Sequence, residues 1–130
     1  MTRTLTFRTL LLLALALAAV IASAVALSKG SPASAASSTT VRLSADKSKL
    51  KFNKSSLTAR AGQVTLVMAN PSALPHAIAI QGPGLNKKGK TVNKGGTSRV
   101  SAALKKGTYT FYCPVDGHRA AGMQGKLVVR

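Results

Sequence analysis

Gly107-Thr-Tyr-Thr-Phe-Tyr-Cys113-Pro-Val-Asp-Gly-His118-Arg-Ala-Ala-Gly-Met123-Gln-Gly-Lys-Leu-Val-Val129 reads as strand, loop, strand. Before the loop, Tyr109, Phe111 and Cys113 share one face of an alternating run, with Thr108, Thr110 and Tyr112 on the other. After it, Leu127 to Val129 is a short apolar run that suits a closing strand. Asp116-Gly117 in the loop is a turn pair rather than a functional carboxylate.

The same period-two grammar continues upstream. Val41 and Leu43 alternate with polar residues, as do Leu50 and Phe52; Leu57, Ala59 and Ala61 lead to a turn at Gly62. Val64 to Ala69 is nearly continuous apolar, as a strand buried on both faces would be, with Met68 as packing. His76 to Ile80 is closed by Gln81-Gly-Pro-Gly84, and Val100, Ala102 and Leu104 alternate before Lys105-Lys106-Gly107. No stretch here carries a helical stripe. The spacing predicts an all-β fold, a Greek-key β-sandwich of seven to eight antiparallel strands over residues 41–130. Leu85 to Gly96, rich in Asn, Gly and Lys, reads as a solvated loop between strands.

The N-terminal region has a different composition. Arg3 and Arg8 precede an unbroken apolar run from Leu10 to Ala22, so residues 1–27 read as a signal peptide or an N-terminal membrane anchor. Ala22-Ser-Ala24 and Ala33-Ser-Ala35 both suit cleavage. Residues 28–40 are Ser/Thr- and Ala-rich with no large apolar side chain, which predicts a linker. The chain is therefore expected to work outside the cytoplasm: secreted, periplasmic or at the cell surface.

Composition excludes much chemistry. The 130 residues hold 19 Lys and Arg against 2 acids, a formal charge of +17, yet 45% are hydrophobic, which does not suit a disordered chain. One cysteine excludes an intrachain disulfide and any site needing two thiolates. With two aspartates and no glutamate, paired-carboxylate catalysis has no residues to work with. No enzyme is expected.

What remains is a small set of metal donors. Cys113, His118 and Met123 follow one another at five-residue intervals directly after a strand, and the other histidine, His76, opens another strand. Taken singly, each has a bland reading: a lone cysteine packs as a small hydrophobe, a histidine beside Gly117 serves a turn, a methionine fills core. Taken together, the two histidines and the one cysteine of the chain, with a suitably placed methionine, make the donor set of a blue-copper site. Two imidazoles and a thiolate would form its trigonal plane, with a weak thioether on the axis. Zinc could also use such donors, but gains little from a thioether.

At these residues the chain resembles the cupredoxin family, particularly its plastocyanin-like and auracyanin-like members. Gly107 to Cys113 resembles the strand entering the family's ligand loop, Ala121 to Val129 the strand leaving it, and Asn70-Pro-Ser-Ala-Leu-Pro-His76 the loop that delivers the first histidine. The resemblance covers residues 41–130. It implies one mononuclear type 1 copper, His76, Cys113 and His118 as equatorial ligands, and Met123 as the axial one. Many relatives carry an asparagine after the first histidine that braces the copper loop; here that position is Ala77, whose N–H can still approach the Cys113 sulfur.

The expected function is electron transfer by an exported Cu(I)/Cu(II) carrier; the alternative is copper storage or delivery without a redox partner. A monomer is expected. The expected partners are redox proteins, acidic ones given the basic chain, docking near His118 beside Leu74, Pro75, Pro114, Ala120 and Ala121. Nucleic acid is not an expected partner, because an exported domain whose Tyr109 and Phe111 are buried leaves only Tyr112 for stacking. Membrane contact would come only through an uncleaved N-terminus or an anionic envelope.

Overall fold

The computed structural model of the chain describes residues 37–130. They form eight strands: β1 Ser38–Ser44, β2 Ser56–Ala59, β3 Gly62–Ala69, β4 Ala79–Gly82, β5 Leu85–Lys88, β6 Thr97–Leu104, β7 Gly107–Tyr112 and β8 Gln124–Val129. A three-stranded sheet, β1-β3-β6, faces a five-stranded one, β2-β8-β7-β4-β5. This is the all-β sandwich that the strand pattern predicts.

The alternation becomes the core. β6 buries Ser98, Val100, Ala102 and Leu104 and exposes the residues between. Val64, Leu66 and Met68 of β3 are fully buried, Met68 as packing. Phe111 of β7 lies between the sheets with its ring centroid 5.5 Å from that of Phe52. Gly125 of β8 is small of necessity, since a Cβ there would run into the Phe111 ring and the Ser55 carbonyl.

Some local expectations change. β1 begins at Ser38, so residues 38–40 of the expected linker are strand, held by parallel pairing with Gln63, Val64 and Thr65. The sandwich is not wholly antiparallel: β1 runs parallel to β3, and β2 to β8. β2 lies in the opposite sheet and acts as the crossover that parallel neighbours require. Leu50 and Phe52 make no strand; Phe52 contributes a single bridge to Ala45. The Lys-rich 85–96 segment is partly ordered pairing, with β5 along the edge of the larger sheet and Val92 bridged to His76. Tyr112, expected on the open face, is buried, and Tyr109, expected to be buried, is only half-buried. Asp46 shapes a turn: its carboxylate accepts the N–H groups of Ser48 and Lys49, which hold its pKa below the ordinary value.

Residues 1–27 and 28–36 lie outside the described residues. Among the described residues no helix is long and apolar enough to cross a membrane.

Register decides where the functional loop closes. β4 and β7 are antiparallel with Ala79 opposite Tyr112, so the segment entering β4 meets the segment leaving β7. β7 and β8 are antiparallel with Tyr112 opposite Gln124, which sets Met123 beside Cys113. His76, Cys113 and Met123 therefore flank three adjacent strands at one end of one sheet.

Candidate metal centre

His76 arrives on the 70–75 loop, and that loop is tied down by one side chain. The Asn70 amide donates to the carbonyls of Leu74 and Val92, at 2.8 and 2.9 Å, and accepts the Ser72 N–H at 3.0 Å. Asn70 is 1% exposed, so water cannot replace those partners. Ser98 does similar work on the next residues, donating to the Lys90 carbonyl at 2.7 Å and accepting the Ile78 N–H at 3.2 Å. Neither residue is among the site residues nominated from sequence; Asn70-Pro71 signals a turn there, but nothing local announces these distant partners. Asn70→Ala should lower the unfolding free energy by about 2 kcal/mol, because it leaves the buried Ser72 N–H without its partner and removes two donors that tie Leu74 to Val92. Urea denaturation of the metal-free chain measures this, and an unchanged midpoint would contradict it.

Cys113 sits where β7 ends, with its N–H donating to the Met123 carbonyl at 3.0 Å. Met123 in turn donates its N–H to the His118 carbonyl at 3.0 Å, closing the loop on itself. Asp116 to Gly122 is a succession of turns, and Gly117, with φ of 76°, takes a conformation that side chains disfavour. The Asp116-Gly117 pair is thus the turn its sequence suggests.

The loop brings the histidines onto the sulfur. The Cys113 Sγ lies 3.8 Å from His76 Nδ1 and 3.5 Å from His118 Nδ1. One ligand atom from each of the three residues lies within 4.8 Å of the others. The imidazole centroids are 4.9 Å apart and tilted by 55°. The Ala77 N–H reaches the same sulfur at 3.5 Å, the approach expected from sequence. Met123 is fully buried next to this group through its backbone bonds.

These separations suit a bound cation. With bonds of about 2.0 Å to nitrogen and about 2.3 Å to sulfur, a trigonal plane has N···S edges of about 3.7 Å. The two observed edges bracket that value. Ligation through Nδ1 leaves the ring proton on Nε2, and His76 Nε2 is buried with no hydrogen-bond partner. Packing, not a hydrogen bond, therefore orients this ring. His76, Cys113 and Met123 are each 0% exposed, whereas His118 is half-buried. One edge of the centre faces solvent, and it is His118.

Burial, seconded by the neighbouring His118, holds the His76 pKa below the ordinary histidine value. The ring is then neutral and free to ligate. The unfolded chain binds this proton near pH ~6.5 and the folded chain only at lower pH, so stability is full above that value and falls as pH drops toward the folded pKa. Melting of the metal-free chain should shift downward between about pH 7.5 and about pH 5, and His76→Gln should flatten the slope. An equal pH dependence in that variant would contradict the assignment.

A family model described as a cupredoxin-like domain matches residues 13–129. A plastocyanin from Scenedesmus fuscus is 32% identical over 99 residues, covering 70% of this chain and 98% of the relative. Plastocyanin A/B of Petroselinum crispum is 32% identical over 97 residues, 68% of this chain and 97% of its own. Among solved structures, auracyanin A, a blue copper protein of Chloroflexus aurantiacus, superposes with a TM-score of 0.63 at 27% identity, over 72% of this chain and 100% of that one. The dithionite-reduced auracyanin of Roseiflexus castenholzii gives 0.63 at 26%, over 73% and 98%.

Proposed function

The chain belongs to the cupredoxin family, and from that premise we propose that it is an exported single-copper electron carrier, with His76, Cys113, His118 and Met123 as the metal's ligands. Its cofactor is one type 1 copper. When bound, that copper supplies a one-electron Cu(I)/Cu(II) couple. The observation that carries the reading is the convergence of both Nδ1 atoms on the Cys113 sulfur at one end of the sheet.

The residues divide the work by chemistry. The Cys113 thiolate would be a soft donor that suits the reduced metal, the imidazoles would suit both states, and the Met123 thioether would be a weak fourth donor that adds slight support to the oxidised metal. The sheet ends and the backbone bonds of the loop hold the donors in place, so little has to move when the charge changes. Full burial of three of the four keeps water away from the centre. His118 is left as the edge through which an electron enters and leaves.

That edge has the surface a transient complex needs. Of the residues proposed for docking, Leu74 is 50% exposed, Pro75, Ala120 and Ala121 are exposed and Pro114 is half-buried, which supports a small apolar contact there. Over the whole of residues 37–130 every Lys and Arg except Arg119 is exposed. A small apolar contact within a basic field suits an acidic redox protein that binds briefly. The segment 1–27 supports export by its charge and apolar run.

Stoichiometric Cu(II) added to the purified chain should give one intensely coloured, thiolate-to-copper absorbing centre per molecule. A colourless product that prefers zinc would overturn the reading. Met123→Leu should keep copper and colour but raise the reduction potential by on the order of 60 mV, a tenfold change in the oxidised-to-reduced ratio, because the lost thioether stabilised Cu(II) slightly. Protein-film voltammetry reads that shift, and a lowered potential would contradict the ligand role of Met123.

A further inference from the structure

Arg119 follows His118 directly in the ligand loop, and unlike the other cationic side chains of residues 37–130 it is only half-exposed. Its guanidinium makes three contacts. The Cζ lies 4.3 Å from the centroid of the Tyr112 ring at the end of β7. One terminal nitrogen donates to Gln81 Oε1 of β4 at 2.8 Å, and Nε donates to Gln124 Oε1 at the start of β8 at 3.2 Å. The Tyr112 hydroxyl then donates to Asn86 Oδ1 of β5 at 2.6 Å. One side chain ties the loop to three adjacent strands directly, and to a fourth through Tyr112.

Nothing else in the loop reaches so far. The side of the loop carrying His118 is otherwise held by the His118 ring against the Cys113 sulfur and the His76 ring and by local backbone bonds: His118 to Val115, Ala121 to Gly117, Gly122 to Arg119 and Met123 to His118. These bonds shape the turns but do not anchor them to β4. Ala77 offers only its backbone N–H, which points to the Cys113 sulfur. A planar fork with donors on two sides and a face for stacking suits the Arg119 position, and a lysine ammonium cannot reproduce it.

We propose that Arg119 is a positioning residue, a clamp that holds the ligand loop against the sheet so that the His118 imidazole stands beside the Cys113 sulfur before any metal binds. The proposal rests on the ligand roles given above, but its first test does not need copper. The partners of the guanidinium are neutral, so the clamp depends on a planar fork that reaches two amide oxygens while its face lies on the Tyr112 ring. That separates it from a role in attracting a partner, for which lysine would serve equally.

The test compares Arg119→Ala and Arg119→Lys with the parent chain. In the metal-free protein, amide hydrogen exchange should accelerate about tenfold at His118, Ala121, Gly122 and Met123 in both variants, as expected from losing two hydrogen bonds and a stacked cation. The amides of β3 and β6 should keep their rates, which shows that the fold is intact. In the copper-loaded protein both variants should shift the reduction potential together. Exchange unchanged in Arg119→Ala, or parent behaviour restored by Arg119→Lys, would overturn the clamp. Failure of the parent chain to form a coloured copper centre would instead overturn the ligand assignment, and the exchange data would still decide the clamp.

Discussion

Cys113→Ser should abolish the visible colour of the copper-loaded protein altogether. The absorption comes from charge transfer out of a thiolate, and a serine hydroxyl supplies no comparable electrons. Serine is nearly the same size, and Cys113 is 0% exposed, so the fold should survive with a modest loss of stability. Copper that still binds would be held by His76 and His118 with hard donors, and the balance would swing toward Cu(II). Absorption spectra and copper analysis of the same sample make the comparison. Undiminished colour in the variant would remove Cys113 from the site and with it the whole ligand assignment.

Electron transfer to an acidic protein should be fast at low ionic strength and slow by roughly tenfold or more as salt approaches physiological levels, where the screening length is about 8 Å. The reason lies in the distribution of charge: sixteen Lys and Arg against two aspartates in residues 41–130. Long-range attraction of this kind acts mainly on association. A basic partner of similar potential should react far more slowly and should speed up with salt. Stopped-flow mixing against both partners measures the contrast. Rates to the acidic partner that ignore salt would assign partner selection to the apolar edge at Leu74 and Pro75, and leave the basic surface to solubility.

The donors were legible because they are rare. A chain with one cysteine and two histidines leaves little freedom in choosing a soft metal site, and the five-residue spacing places Cys113, His118 and Met123 in one loop. The strands were legible where burial is one-sided, as in β6, whose alternation is complete. The pattern assigns faces, however, and not neighbours, so the parallel pairing of β1 with β3 could not be read from it. β5 was missed for a related reason. As an edge strand with Asn86, Lys87 and Lys88 exposed, it has the composition of a loop. Asn70 and Arg119 were illegible as supports because their roles depend on partners 22 and 38 residues away along the chain. Such contacts exist only once the sheets have closed. Tyr112 shows the same limit: its alternation pointed outward, and the Arg119 guanidinium and Asn86 then covered it.

The most direct measurement is spectroelectrochemistry of the chain loaded with one equivalent of copper. Cycling the potential should bleach and restore the thiolate-to-copper band many times through a single one-electron wave, with the metal retained throughout. That result is expected of a carrier whose donors are held in place by the ends of β4, β7 and β8. Reduction that releases the copper, or a band that does not return on reoxidation, would contradict electron transfer and indicate a protein that stores or delivers the metal.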